Sequence, residues 1–266
     1  MTLTGAAEAR AGWKSVALPS EHGGWSLTAE PAVLGLLVAW SWSGLGLAGL
    51  AMLAFVARTP IKVVLVDRWR GRSLPRTALA LRIAVVEIVI LALLTFLVAT
   101  NVSGRTWIPL LIAGPLIGLE LWYDVRSRSR RLIPELAGAV GIGSIAAAIS
   151  LAGGESDSVA AGLWVVVASR SLSAIPFVRV QIRRPKSQVP QVWQSDVAQL
   201  AGVALAAAGW LLGLVPLLAV GGIVALVVVQ LVSSRLSPQR AVIVGVQQTV
   251  FGLVIVALTA AAVLTV

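Results

Sequence analysis

The chain has 266 residues, of which 58% are hydrophobic and only 12% are Asp, Glu, Lys or Arg, with a mean hydropathy of +0.93. That charged share is about half that of a soluble domain, which excludes an ordinary soluble globule and makes the lipid bilayer the expected solvent and first partner. The net charge of +10 comes from basic residues clustered in short segments between apolar runs, a pattern of membrane topology and not of nucleic-acid binding, and the lack of cysteine together with a single histidine, His22, removes disulfides, thiolate chemistry and a metal or other cofactor from the expectations.

Residues 1–18 contain no compact apolar region with a cleavage site, so no signal peptide is expected and the first span serves as the insertion signal. The chain divides into an N-terminal cytoplasmic segment, 1–23, and a single transmembrane helical domain, 24–266. A hydrocarbon core of roughly 30 Å needs about 20 apolar residues per helix. Nine stretches fit, near 24–42, 44–66, 78–99, 107–123, 133–152, 159–178, 197–213, 215–233 and 241–265. The expected fold class is therefore all-α, a polytopic transmembrane helix bundle of about nine spans.

Ionisable groups inside spans are costly unless paired or wetted, so each is a candidate site. The first span is preceded by Pro19-Ser20-Glu21-His22-Gly23-Gly24-Trp25 and carries Glu30-Pro31 inside it. His22 titrates near neutrality and suits a proton carrier; a plain helix entry with an interfacial tryptophan is the alternative for Glu21 and His22. Glu30 lies deep enough to need a partner. The second span ends in Arg58-Thr59-Pro60-Ile61-Lys62, followed by Asp67 and Arg68. Pro60 removes a backbone donor there, and the flanking cations either snorkel to headgroups or frame an anion site at the mouth of a cavity.

In the fourth span Gly114-x-x-x-Gly118 suggests close helix packing, as do Gly138, Gly141 and Gly143 in the fifth. Glu120 and Asp124 share a face at i, i+4, and Glu135 and Asp196 read as carboxylates at helix N-termini. The sixth span repeats the theme of the second: Arg170 lies inside it, then Pro176 and Arg179, with Arg183 one turn further on. Arg170 is too deep to snorkel easily, and Glu30 or Glu87 is its expected partner. The correspondence of spans 2 and 6 in two four-span units points to a site between the halves.

Of the 21 basic side chains, all but Arg105 and Arg170 fall on one side of a nine-span arrangement. The positive-inside rule then puts the N-terminus in the cytoplasm and the C-terminus outside. The opposite loops, 100–106 and 152–158, are short and nearly neutral or acidic. Trp40, Trp42, Trp107 and Trp210 fall at the predicted outer ends, and Trp25 and Trp122 at the inner ends, as in an aromatic belt.

Pro19-x-Glu21-His22-Gly23-x-Trp25, with Arg58-x-Pro60 and Phe177-x-Arg179 behind it, resembles the YwiC-like family of bacterial membrane proteins. That resemblance implies a bacterial cell membrane and no particular chemistry. A more distant likeness, in span number, cytoplasmic N-terminus and the placing of polar segments after spans 2 and 6, is to UbiA-type prenyltransferases. Such a likeness would imply magnesium bound by paired Asp-rich motifs. This sequence has Arg58, Lys62, Arg179 and Arg183 where those motifs call for Asn and Asp, so an oxygen-ligand magnesium site is not expected.

Three functional readings fit this pattern. The first is a UbiA-like protein, catalytic or not, that binds an anionic amphipathic ligand bearing a phosphate, a carboxylate or a lipid headgroup at a cytoplasm-facing cavity. The second is a small anion or proton-coupled transporter. The third is a non-catalytic membrane assembly protein. The candidate ligand-binding residues are Glu21, His22, Glu30, Arg58, Lys62, Asp67, Arg68, Arg170, Arg179 and Arg183.

Overall fold

Each apolar stretch of the sequence forms a helix. The computed structural model describes residues 12–19, 22–126, 131–184, 192–237 and 239–265. Among the described residues the long helices are α1 (His22–Val38), α2 (Trp42–Trp69), α3 (Pro75–Ala99), α4 (Ile108–Val125), α5 (Leu132–Ala152), α6 (Asp157–Arg183), α7 (Val192–Leu211), α8 (Leu217–Ser233) and α9 (Ala241–Leu264). A 3-10 turn, Gly104–Trp107, leads into α4, and no strand occurs among the described residues.

Six segments are long and apolar enough to cross a bilayer: α2, α3, the run Gly104–Val125, α5, α6 and α9. The chain is thus a multi-pass membrane protein. The other three helices fall short of that measure. α1 and α8 have 17 residues each, about 25 Å at 1.5 Å per residue, and α7 opens on the polar run Val192-Trp193-Gln194-Ser195-Asp196.

Local chemistry sets the helix ends. Ser41 caps α2 by accepting from the Gly44 N–H at 2.9 Å, and Ser156 caps α6 by accepting from Val159 at 3.3 Å. Between α7 and α8 the chain reverses through Gly213, whose φ of 72° lies in the region that favours glycine, and Pro216 then precedes α8. Pro60 and Pro176, expected to disturb their spans, lie within the continuous helices α2 and α6.

The core is built on α5 and α6, whose central windows are two-thirds buried, whereas α3, which packs on α2 and near Val16 of the N-terminal segment, is about one-tenth buried. Small residues explain the central place of α5. A Cβ on Gly35 of α1 would meet the Ala146 carbonyl and Ile149 of α5, and one on Gly143 would meet Val167 of α6. Gly138 and Gly141 are likewise crowded, by Glu120 and Ile117 of α4, so the packing expected of α5 is present. Gly114 and Gly118 differ: a Cβ on either would meet open space. Their expected role in close packing within the chain is therefore corrected, because that side of α4 faces outward.

Candidate functional site

Glu30 is the central residue of α1 and Arg170 the central residue of α6. Both are buried, at 4% and 3% exposure. Arg170 Nη2 donates to Glu30 Oε1 at 2.9 Å, and Nε lies 2.9 Å from Oε2 as an ionic contact without the alignment of a hydrogen bond. Arg170 Nη2 also donates to the Gln248 carbonyl of α9 at 2.7 Å, and Gln230 Nε2 of α8 donates to Gln248 Oε1 at 3.1 Å. Gly252, one turn beyond Gln248, leaves room for the Glu30 carboxylate, which a Cβ there would strike. Two opposite charges thus meet in the interior with no net charge between them, the arrangement that makes buried ions tolerable. Of the two carboxylates considered for Arg170, the partner is Glu30. Glu87 sits at the middle of α3, and its Oε2 has no hydrogen-bond partner among the described residues.

The cations beside Pro60 find carboxylates on α4. Arg58 Nη1 lies 2.7 Å from Glu120 Oε1, Arg58 Nε donates to Asp124 Oδ2 at 2.7 Å, and Lys62 Nζ lies 3.1 Å from Asp124 Oδ1. The i, i+4 spacing of Glu120 and Asp124 lets one guanidinium grip both. Gly138 of α5 packs against the Glu120 carboxylate. One turn earlier on α5, Glu135 receives Arg179 Nη1 of α6 at 2.6 Å. A row of opposite charges therefore links α2, α4, α5 and α6 at one end of the bundle.

Asp67 belongs to a separate cluster. It is buried and accepts from Arg76 Nη2 at 3.0 Å and from Thr77 Oγ1 at 2.6 Å, which fastens the end of α2 to the start of α3. Arg68 is exposed. Glu21 lies outside the described residues, as does the side chain of His22. Glu135 opens α5 as expected, whereas Asp196 is the fifth residue of α7 and pairs with Arg235 at 2.9 Å.

Glu30, Arg58, Arg170 and Arg179 thus occupy three pairings, not one shared pocket. Of these four, only Arg179 borders an open cleft of about 50 Å³, lined by Leu132 of α5, by Pro176, Arg179, Val180 and Arg183 of α6, and by Gln194 and Ser195 of α7. A water needs about 10–15 Å³ by this measure, so the cleft has room for roughly three or four waters or one small oxyanion. Arg183 is exposed and forms no ion pair among the described residues. Two guanidiniums, a hydroxyl and an amide at its walls offer donors suited to phosphate or carboxylate oxygens.

Several members of these clusters went unremarked in the sequence. Gln230 and Gln248 have no charge to draw notice, yet both are buried. Their only sequence signal is a long polar side chain inside an otherwise apolar span. Gln194 and Ser195 lie before the seventh expected span and carry no charge, and only the packing of α7 on α6 brings them to Arg179 and Arg183.

A family described as YwiC-like protein matches residues 18–150, which is half of the chain and covers α1 to α4 and nearly all of α5. No curated protein and no solved structure matches the chain.

Proposed function

The chain belongs to the YwiC-like family, and from that premise we propose that it binds the anionic headgroup of an amphipathic ligand in the cleft between the ends of α5, α6 and α7. The observation that carries this reading is the cleft itself: Arg179 and Arg183, one turn apart on α6, line it together with Gln194 and Ser195. Arg58 and Lys62 are engaged by Glu120 and Asp124, and Arg179 by Glu135, whereas Arg183 is exposed and forms no ion pair among the described residues, so its guanidinium makes the α6 side of the basic end the better anion site. In this reading all nine helices cross a bacterial cell membrane, the N-terminus is cytoplasmic, and 24–266 forms one helical domain. The shared topology with UbiA-type proteins belongs to the same proposal and rests on span number and the Pro-bearing α2 and α6.

Native mass spectrometry of the detergent-solubilised protein tests this. The wild type retains a phosphate- or carboxylate-bearing amphipath, Arg183→Ala and Arg179→Ala lose most of it, and Arg58→Ala keeps it. Equal retention by the wild type and both α6 variants overturns the reading.

A second reading, a transporter of a small anion or a proton-coupled solute, is favoured by the ion pair at the centre of α1 and α6. It predicts flux into proteoliposomes that Arg170→Ala abolishes. A third, a non-catalytic assembly protein, predicts that none of the cleft variants alters function.

A further inference from the structure

Away from the cleft, the seam between α6, α8 and α9 carries polar atoms that the bundle leaves unsatisfied. Arg170 Nη1, Gln248 Nε2, Gln230 Oε1 and Gln181 Oε1 are all buried and have no hydrogen-bond partner among the described residues. Their residues are 3%, 7%, 0% and 1% exposed, respectively. They form a connected series. Arg170 bonds to Gln248, and Gln248 to Gln230. One turn beyond Gln230, at the end of α8, the Ser233 carbonyl accepts from Gln181 Nε2 at 3.0 Å and the Ser234 carbonyl from Arg184 Nη1 at 2.6 Å. Counted from the helix ends at 1.5 Å per residue, Gln181 is about 3 Å deep, Gln230 about 5 Å, Gln248 about 10 Å and the Arg170 backbone about 20 Å.

Exchanging amide O and N does not repair the series. Gln230 and Gln248 share one bond, so reversing both amides swaps donor for acceptor and still leaves one orphan atom on each. Gln181 must present its NH₂ to the Ser233 carbonyl, which fixes its oxygen as the orphan. A buried orphan is disfavoured in hydrocarbon surroundings, where lipid offers no partner. Water supplies both donors and acceptors, and it is small enough to thread between packed helices.

We propose that a file of water molecules runs between α6, α8 and α9, from the end where Arg184 meets Ser234 inward to the Glu30–Arg170 pair. The two ends of the file are fixed: Arg170 Nη1 donates at the inner end, and Gln181 Oε1, whose amide is set by the Ser233 carbonyl, accepts at the outer end. Between them Gln230 and Gln248 each present either an amide oxygen or an amide nitrogen to the water. With a guanidinium at the closed end, the file admits neutral water and disfavours cations.

The cysteine-free sequence permits a direct test with single-cysteine variants of the full chain. Gln230→Cys and Gln248→Cys place a thiol in the seam; Val228→Cys and Leu253→Cys place one at residues 54% and 49% exposed on the outer faces of α8 and α9. A thiol reacts with neutral iodoacetamide as the thiolate, which forms where water solvates it. In lipid vesicles the seam cysteines are expected to react at least about tenfold faster than the outer-face cysteines. Equal rates in variants of matched thermal stability overturn the proposal. Hydroxyl-radical footprinting of the wild type gives a second measurement that needs no substitution. Leu226, one turn from Gln230 on α8, is expected to be oxidised several-fold more than Leu34 and Leu163, although all three are nearly inaccessible. Equal oxidation of the three leucines also overturns it.

Discussion

A guanidinium at the centre of a 27-residue membrane helix persists only with its countercharge, and Arg170 has one in Glu30. Removing one partner leaves the other buried and uncompensated, which costs about 3–5 kcal/mol. Arg170→Ala is therefore expected to lower stability by that amount in equilibrium unfolding from detergent. Glu30→Gln combined with Arg170→Met is expected to recover more than half of the loss, because no charge is then stranded. A combined variant no more stable than Arg170→Ala would argue that the pair's role is steric. Both residues stood out in the sequence because a charge inside an apolar run is visible at once. Their pairing did not. They are 140 residues apart, and Glu87 offered the same chemistry until packing put α3 on the far side of α2.

Among the elements, the tolerance of a helix contact depends on whether the neighbour can yield. A Cβ on Gly162 of α6 would run into the backbone carbonyl of Leu214 in the turn between α7 and α8, and backbone moves only with its element. A Cβ on Gly138 would strike the Glu120 carboxylate, the end of a flexible side chain. Gly162→Ala is expected to destabilise by about 1–3 kcal/mol, and Gly138→Ala by less, with the cost of the latter appearing as a weakened Arg58–Glu120 contact. Gly114→Ala meets open space and is expected to be neutral or to stabilise by up to about 1 kcal/mol through helix propensity. Unfolding of the three variants under one condition checks the ranking. The sequence made Gly114 and Gly138 look alike, since small-residue spacing says that a close approach is allowed and not that a neighbour is there. The cations beside Pro60 were ambiguous for the same reason: the Glu120–Asp124 face that engages Arg58 was legible, but its apposition to α2 was not.

At the level of the whole molecule, helix positions were the most legible feature, because length and apolarity are properties of a segment alone. All nine expected stretches overlap a helix, whereas six segments meet the length and hydropathy of a span. The difference concerns α1, α7 and α8, and topology depends on it, since each added crossing inverts the rest of the chain. If α7 and α8 both cross, the turn between them lies on the same side of the membrane as the connection between α5 and α6, because α6 and α7 both intervene. If neither crosses, α6 is the only crossing between the two, and the turn lies on the opposite side. Ser156 and Leu212 are exposed in these two connections, and the chain has no other thiol to confuse a cysteine placed at either. The connection between α5 and α6 carries Glu155, and the one between α8 and α9 carries Arg235 and Arg240, so the first is expected outside and the second in the cytoplasm. With Ser156→Cys and Leu212→Cys in intact cells, a membrane-impermeant maleimide is expected to label both positions. In Ser237→Cys, at an exposed residue between α8 and α9, it is expected to react only after the membrane is opened. Labelling of 156 without 212 would put an odd number of crossings between them and exclude the nine-span arrangement. Labelling of 237 alone from outside would keep nine crossings but reverse the orientation that the basic residues imply.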